Sequence, residues 1–425
     1  MHFDKISKIK GELKLPGDKS ISHRAVIFSS IAQGKSVITN LSNGEDVKST
    51  INCFEQLGVD IKNDAGRLIV EGKGLNSLSQ PKAPLDSGNS GTTARLISGI
   101  LIHQKFRTTL IGDDSLSLRP MKRIITPLNL MGGKIEASGN LTLPLKFSTS
   151  ENLVPINYEL PIASAQIKSA VLLSGLHLNS DTTVVENIPS RNHTEAMLGL
   201  PIKTDNSKKI ITINSSFTPQ VKEYFIPSDI STAAFFIVLT LLSKNSELLI
   251  KNVTLNHTRT GILEVLRIMG GSIETVALHD AYGEPYGDIL IKSSRLQNIK
   301  IDKNIVPNII DEIPILAVAG AFADGGSLTE HAAELRAKET DRIKAICYNL
   351  TQAGLRVDEF EDGFKFSGKL KNKKFGLKSF GDHRIAMSGA VLSMLNNSGG
   401  EVEDFECVNI SNPQFLKQLK NIIRS

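Results

Sequence analysis

A helix end, a glycine, a short strand, a turn and a second strand recur five times along this chain. The copies begin at Phe54-Glu55-Gln56-Leu57-Gly58, Leu130-Met131-Gly132, Ala196-Met197-Leu198-Gly199, Leu266-Arg267-Ile268-Met269-Gly270 and Leu350-Thr351-Gln352-Ala353-Gly354. Their second strands are expected at Leu68-Ile69-Val70, Leu141-Thr142-Leu143 and Ile210-Ile211-Thr212-Ile213 in the first three copies. A glycine directly after an apolar helix end predicts a left-handed C-terminal cap, and the strand pair after it predicts a hairpin. The copies stand roughly 65–85 residues apart, too long for a solenoid repeat and suited to small α/β units. Five copies, with room for a sixth at the C-terminus, predict an α/β protein of repeated units. Breaks at Leu15-Pro16 and Ile226-Pro227 are candidate crossings between two halves.

At 425 residues the chain needs two or three domains. A hydrophobic share of 40% and a charged share of 22% belong to a globular protein. No apolar run is long enough to span a bilayer, and Met1-His2-Phe3-Asp4-Lys5 lacks the pattern of a signal peptide. Cys53, Cys347 and Cys407 are scattered, which disfavours a disulfide framework or a zinc site and suits a reducing cytoplasm. The net charge of +5 is spread out, and tryptophan is absent, so neither a nucleic-acid footprint nor a base-stacking platform is expected.

The polar clusters sit where helices begin. In Leu15-Pro16-Gly17-Asp18-Lys19-Ser20-Ile21-Ser22-His23-Arg24-Ala25, a turn precedes an apolar helix that Asp18 or Ser20 can cap. The unpaired N–H groups of that helix, with Lys19 and Arg24, make an anion site. Asp86-Ser87-Gly88-Asn89-Ser90-Gly91-Thr92-Thr93-Ala94-Arg95 is a glycine-bearing loop before a second helix, and it does not fit the Walker pattern. Further clusters are Arg119-Pro120, Ser164-Ala165-Gln166-Ile167-Lys168-Ser169, Ser190-Arg191-Asn192-His193-Thr194-Glu195, Asp311-Glu312-Ile313-Pro314, Glu334 to Arg342, and Gly381-Asp382-His383-Arg384. Taken singly, each reads equally well as a capped helix with solvated charges. Together, Lys19, Arg24, Arg119, Lys338, Arg342 and Arg384 supply six cations, with Asp311 and Glu339 as carboxylates for proton transfer. That set suits chemistry on two anionic small molecules without a metal.

LPGDKSISHRA, GNSGTTAR, DxSLxxRPM, ASAQIKSA, SRNHTEAML, Asp311 in IIDEIP, ELRAKETDRI and GDHRIAM stand in an order that resembles the 5-enolpyruvylshikimate-3-phosphate synthases. The resemblance is to their class II bacterial branch and covers nearly the whole chain. It implies two similar domains, each of three βαβαββ units (the enolpyruvyl transferase fold, an inside-out α/β barrel), with a cleft between them. The domains would be 16–227 and 1–15 plus 228–425, with crossover strands near 15–16 and 226–228. It implies transfer of the enolpyruvyl group of phosphoenolpyruvate to the 5-hydroxyl of shikimate 3-phosphate through a tetrahedral ketal. It implies no cofactor, no metal, no nucleic-acid or membrane partner, and a cytoplasmic monomer. By the same resemblance, Lys19, Ser20, Arg24, Ser164, Ala165, Gln166, Ser190, Asp311 and Lys338 would hold shikimate 3-phosphate. Lys19, Gly91, Arg119, Gln166, Arg342 and Arg384 would hold phosphoenolpyruvate. Asp311 would take the hydroxyl proton, Glu339 would protonate the methylene carbon, and Lys19 would touch both substrates.

Three positions depart from the family pattern. Ile410 stands where many relatives carry a lysine, so either phosphoenolpyruvate affinity is lowered or Lys417 substitutes. The segment after Met197 is short, and Glu334 occupies a position that is asparagine in some relatives. Two rival readings remain. An enolpyruvyl transferase acting on UDP-N-acetylglucosamine usually carries a cysteine in the Arg119 loop, and 112–121 holds none. A repeat-built RNA-binding protein would need clustered aromatics, which are not seen.

Overall fold

The computed structural model describes residues 1–424. It divides into two compact units: Met1–Pro16, Pro227–Asp280 and Pro285–Ser425 form the first, and Gly17–Ile226 with Ala281–Glu284 the second. Each has its own hydrophobic core, and the two cores share no residue.

All five repeat glycines take the left-handed conformation, at φ 87° for Gly58, 92° for Gly132, 65° for Gly199, 97° for Gly270 and 102° for Gly354. Each is followed by an antiparallel strand pair. In the second copy the return strand is Leu145–Ser148, not the expected Leu141–Leu143. Leu141 has φ 55° and donates its N–H to Ser138, so the apolar triplet there is spent on the turn.

The second unit holds three four-stranded sheets of one design: a strand parallel to its neighbour, then two antiparallel strands. The second and third sheets are each built from one continuous stretch with βαβαββ order, Leu85 to Ser148 and Asn157 to Ile213. The first sheet borrows its opening strand, Glu223–Phe225, from the far end of the unit, which closes the set. The segment after Met197 still builds a full repeat, with its second helix reduced to the six residues His193–Leu198.

The first unit repeats the design and erodes it. Lys8–Lys14 opens a six-stranded sheet as the parallel partner of Glu247–Thr254. The next repeat keeps only two isolated bridges, Gln297 to Asp324 and Lys300 to Leu328, where its opening strand belongs. In the last, Gly400–Glu403 pairs antiparallel with His2–Phe3, a strand lent by the chain's start. The six sheets are all open.

Helix sequence explains helix position. Lys19–Ile31, Gly91–Leu101 and Ala165–Gly175 in the second unit are buried nearly all round, as are Ile230–Leu242, Ile313–Phe322 and His383–Leu395 in the first. A helix without a polar face belongs inside. The partner helices, such as Glu45–Gln56 and Phe415–Ile422, bury one face only. In the second unit, Gly99 lets Gly91–Leu101 press against Ala165–Gly175: a Cβ there would lie 2.2 Å from the Ala170 carbonyl oxygen. Gly99→Ala is expected to destabilise the protein by about 1–3 kcal/mol through overpacking. Gly139, which has nothing within 4 Å of an added Cβ, should tolerate alanine within about 0.5 kcal/mol. Urea unfolding of the two variants checks this.

Candidate active site

Helix caps flank several of the site residues. Asp18, not Ser20, caps Lys19–Ile31 by accepting the Ile21 N–H at 2.9 Å. Ser90 accepts from Thr93 N, Ser164 from Ile167 N, Asp341 from Lys344 N, and Asp382 from Arg384 N and Ile385 N. A side-chain cap satisfies one or two first-turn N–H groups and fixes where the helix starts. It thereby sets the position of the next residue, which is Lys19, Gly91, Ala165 or Arg342 in four of these helices.

In the second unit, a web of side chains ties these helix starts together. Lys19 Nζ lies 2.7 Å from Asp46 in the first turn of Glu45–Gln56. Arg24, 3% exposed, donates from Nε to Thr194 Oγ1 at 2.8 Å, from Nη2 to Ser169 Oγ at 2.6 Å, and from Nη1 to the Ser20 carbonyl at 3.0 Å. Burial lowers its pKa to about 10, opposed by Glu195, Glu284 and Asp18, so it stays charged at neutral pH. Gln166 accepts from Arg95 Nη1 at 2.8 Å and donates to Thr92 Oγ1 at 3.0 Å. Arg119 follows the short helix Asp114–Ser117, and its Nη2 donates to Asn89 at 2.9 Å and Ser115 at 3.2 Å. Ser190 gives both its hydroxyl and its backbone N–H to Glu186 Oε1, so that hydroxyl must turn before it can serve an incoming anion. A Cβ on Gly91 would lie 2.5 Å from Arg95 Nη1.

In the first unit, Arg342 is the centre. It opens helix Arg342–Gln352 and is 1% exposed. Nε donates to Asp382 at 2.7 Å, Nη2 to Glu339 at 2.6 Å and to Asp382 at 3.4 Å, and Nη1 to Asp311 at 3.2 Å. Burial alone would disfavour its charge, but Asp382, Glu339 and Asp311 outweigh burial and raise its pKa. Four of its five N–H groups are thereby directed at carboxylates. Arg384 Nη1 donates to the Asp311 carbonyl at 3.0 Å and reaches Glu312 at 3.4 Å. Lys338 Nζ lies 3.5 Å from Asp311 and 3.0 Å from Glu334. Ile410 ends a short 3₁₀ turn, half-buried, and Lys417 is exposed on Phe415–Ile422.

Every sequence-predicted site residue but Arg24, which lies in the second turn of Lys19–Ile31, stands at or beside a helix start or its loop. Asp46, Arg95 and Asp382 were not among the expected site residues, yet they hold Lys19, Gln166 and Arg342. Arg95 and Asp382 stand inside quoted motifs, one turn into a helix and just before one, whereas nothing local marked Asp46.

His23 joins the same web: Nδ1 meets Thr50 Oγ1 at 2.7 Å, and Thr50 Oγ1 meets Thr93 Oγ1 at 2.7 Å. Burial, the largest effect, lowers its pKa from 6.5 to about 3. The folded protein keeps this ring neutral, while the unfolded chain takes a proton as pH falls below 6.5. The penalty is absent above that pH and grows down to pH about 3. At pH 5.5 it amounts to about 1.4 kcal/mol. Denaturant unfolding at pH 7.5 and 5.5 should show the wild type losing about that much more than His23→Gln does.

A family model described as EPSP synthase (3-phosphoshikimate 1-carboxyvinyltransferase) matches residues 3–419. A relative from Oceanobacillus iheyensis, named 3-phosphoshikimate 1-carboxyvinyltransferase, is 45% identical over 421 residues, covering 98% of this chain and 97% of the relative. One of the same name from Alkaliphilus metalliredigens is 44% identical over 426 residues, covering 99% of each. Among solved structures, an EPSP synthase from Acinetobacter baumannii has a TM-score of 0.88 at 37% identity, covering 99% of this chain and 97% of that one. The enolpyruvyl transferase NikO from Streptomyces tendae shares the fold, with a TM-score of 0.74 at 14% identity, over 99% of this chain and 96% of its own.

Proposed function

The chain belongs to the EPSP synthase family, and from that premise we propose that the carboxylates gathered by Arg342 carry the proton transfers of its reaction. The reaction moves the enolpyruvyl group of phosphoenolpyruvate to the 5-hydroxyl of shikimate 3-phosphate and releases phosphate, on the shikimate pathway to chorismate and the aromatic amino acids. The observation that carries the proposal is that Asp311 and Glu339 share one buried guanidinium, at 3.2 and 2.6 Å.

In this reading the Glu339 carboxylate takes a proton from solvent once substrate anions occupy the Arg342 guanidinium, and gives that proton to the methylene carbon of phosphoenolpyruvate. The 5-hydroxyl oxygen then bonds to the adjacent carbon while Asp311 takes the hydroxyl proton. The result is a tetrahedral ketal. Collapse breaks the bond from carbon to the phosphate oxygen, returns a methyl proton to Glu339, and sends phosphate out with the proton held by Asp311. Both carboxylates end as they began once Glu339 gives its proton back to solvent, and the carbon–oxygen bond, not the phosphorus–oxygen bond, is cut.

The binding roles rest on charge and helix starts. Lys19, Ser20, Arg24, Ser164, the Ala165 backbone, Gln166, Ser190, Asp311 and Lys338 hold shikimate 3-phosphate. Lys19, the Gly91 backbone, Arg119, Gln166, Arg342 and Arg384 hold phosphoenolpyruvate. First-turn N–H groups at capped helix starts, with arginine beside them, suit phosphate and carboxylate oxygens. The two domains of this reading are 16–227 and 1–15 with 228–425. A cytoplasmic location fits three scattered cysteines, and no helix among the described residues is long and apolar enough to cross a membrane; the monomer is what the family resemblance implies.

Phosphate release that requires both substrates tests the reading. Asp311→Asn and Glu339→Gln should each lower kcat by about 10²–10⁴-fold while shikimate 3-phosphate still binds. Wild-type turnover retained by either variant would remove that residue from the chemistry.

A further inference from the structure

Beneath the Arg24 cradle lies an ionic cluster that the reaction does not use. Lys168 Nζ is fully buried, 2.9 Å from Glu186 Oε1 and 2.7 Å from Glu195 Oε1, and both carboxylates are 1% exposed. Val171 and Leu172, three and four residues on, share that helix face and are buried, so an apolar side chain would fit the position. A buried ion pair gains little stability over apolar packing, because desolvation offsets the attraction. Its value has to lie in what it holds in place.

The cluster grips three elements around the proposed shikimate 3-phosphate contacts: the helix that carries Ala165 and Gln166, the strand that leads to Ser190, and the helix whose Thr194 holds Arg24. Lys168 immediately precedes Ser169 on helix Ala165–Gly175, and Glu195 immediately follows Thr194 on helix His193–Leu198. The two helices are therefore joined twice: by the Lys168–Glu195 ion pair, and by the Ser169–Thr194 hydroxyl contact at 2.7 Å. Those same hydroxyls receive Arg24 Nη2 and Nε. Glu186, at the end of strand Thr182–Glu186, uses the oxygen that faces Lys168 to hold the Ser190 hydroxyl and N–H. His193, one residue before Thr194, is pinned from its other side by Glu284 at 2.7 Å.

We propose that Lys168 is a positioning residue for the shikimate 3-phosphate site, setting the Arg24 guanidinium and the Ser190 loop in register through Glu195 and Glu186. The inference rests on the reading that Arg24 and Ser190 contact that substrate. Without the ammonium, Glu186 and Glu195 lose the cation between them, the helix pair loses one of its two links, and Glu186 is no longer held on the Ser190 side.

Steady-state kinetics in both substrates, with calorimetric titration of shikimate 3-phosphate alone, tests this on Lys168→Met, Glu186→Gln and Arg24→Lys. Lys168→Met should raise the KM and Kd for shikimate 3-phosphate roughly 10- to 100-fold, the weight of one or two misplaced charge-assisted hydrogen bonds. The KM for phosphoenolpyruvate and kcat should stay within about threefold, a split that general destabilisation does not produce. Glu186→Gln keeps an acceptor for Ser190 but loses the ion pair, and should weaken shikimate 3-phosphate by a smaller factor in the same direction. An unchanged Kd in folded Lys168→Met, or equal losses in both substrates, overturns the inference. If Lys168→Met does not fold, an unchanged Kd in Glu186→Gln overturns it. If Arg24→Lys weakens shikimate 3-phosphate and neither cluster variant does, the binding reading stands and the positioning role falls. If Arg24→Lys leaves the Kd unchanged, the binding reading falls and the positioning role with it.

Discussion

The first turn of a helix leaves N–H groups without partners, and most of the proposed site residues stand at or beside such turns. Three nearly all-buried helices in each unit carry a charge along their length only where buried partners meet it, as at Arg24 and Lys168. Charge and hydrogen-bonding capacity are therefore driven to their ends. Caps at Asp18, Ser90, Ser164 and Asp382 satisfy part of each end and define where it starts. In the proposed reading, what the cap leaves over, together with the following lysine, glycine or arginine, serves the substrate anions. Close packing makes this geometry rigid: helices pressed together at Gly99 keep the starts of their neighbours in register.

Two buried cations organise the polar chemistry in different ways. Arg342 spends four N–H groups on Asp382, Glu339 and Asp311, and so acts first as a frame for carboxylates. A planar guanidinium suits this because its donors leave in fixed directions. Lys168 is a point charge between two carboxylates, and its neighbours along the chain, rather than the ammonium itself, reach toward Arg24. Either ion would be costly to bury if its only effect were stability.

Much of this was legible in the chain because it is local. Gly58, Gly132, Gly199, Gly270 and Gly354 each follow an apolar helix end, and each takes positive φ. The cap-then-cation pattern at Asp18-Lys19 is written in adjacent residues. Contacts between distant residues were not legible. Lys168 sits inside a quoted motif, yet nothing near it marks Glu186 and Glu195 as its partners. Asp46 meets Lys19 across 27 residues with no pattern linking them. The Leu141–Leu143 strand failed because a turn claimed the triplet, and apolar alternation alone does not reveal a left-handed Leu141. The borrowed strands Glu223–Phe225 and His2–Phe3 were hidden for the same reason, since they pair with segments far along the chain.

The most direct test of the central claim, that Glu339 delivers the proton to carbon, is the reaction run in deuterium oxide with mass analysis of the enolpyruvyl methylene. The wild type is expected to place deuterium on that carbon in product and in recovered phosphoenolpyruvate, and Glu339→Gln to place none while still binding shikimate 3-phosphate. Deuterium entering at the wild-type rate in Glu339→Gln would contradict the account and send the search for the carbon acid to another residue.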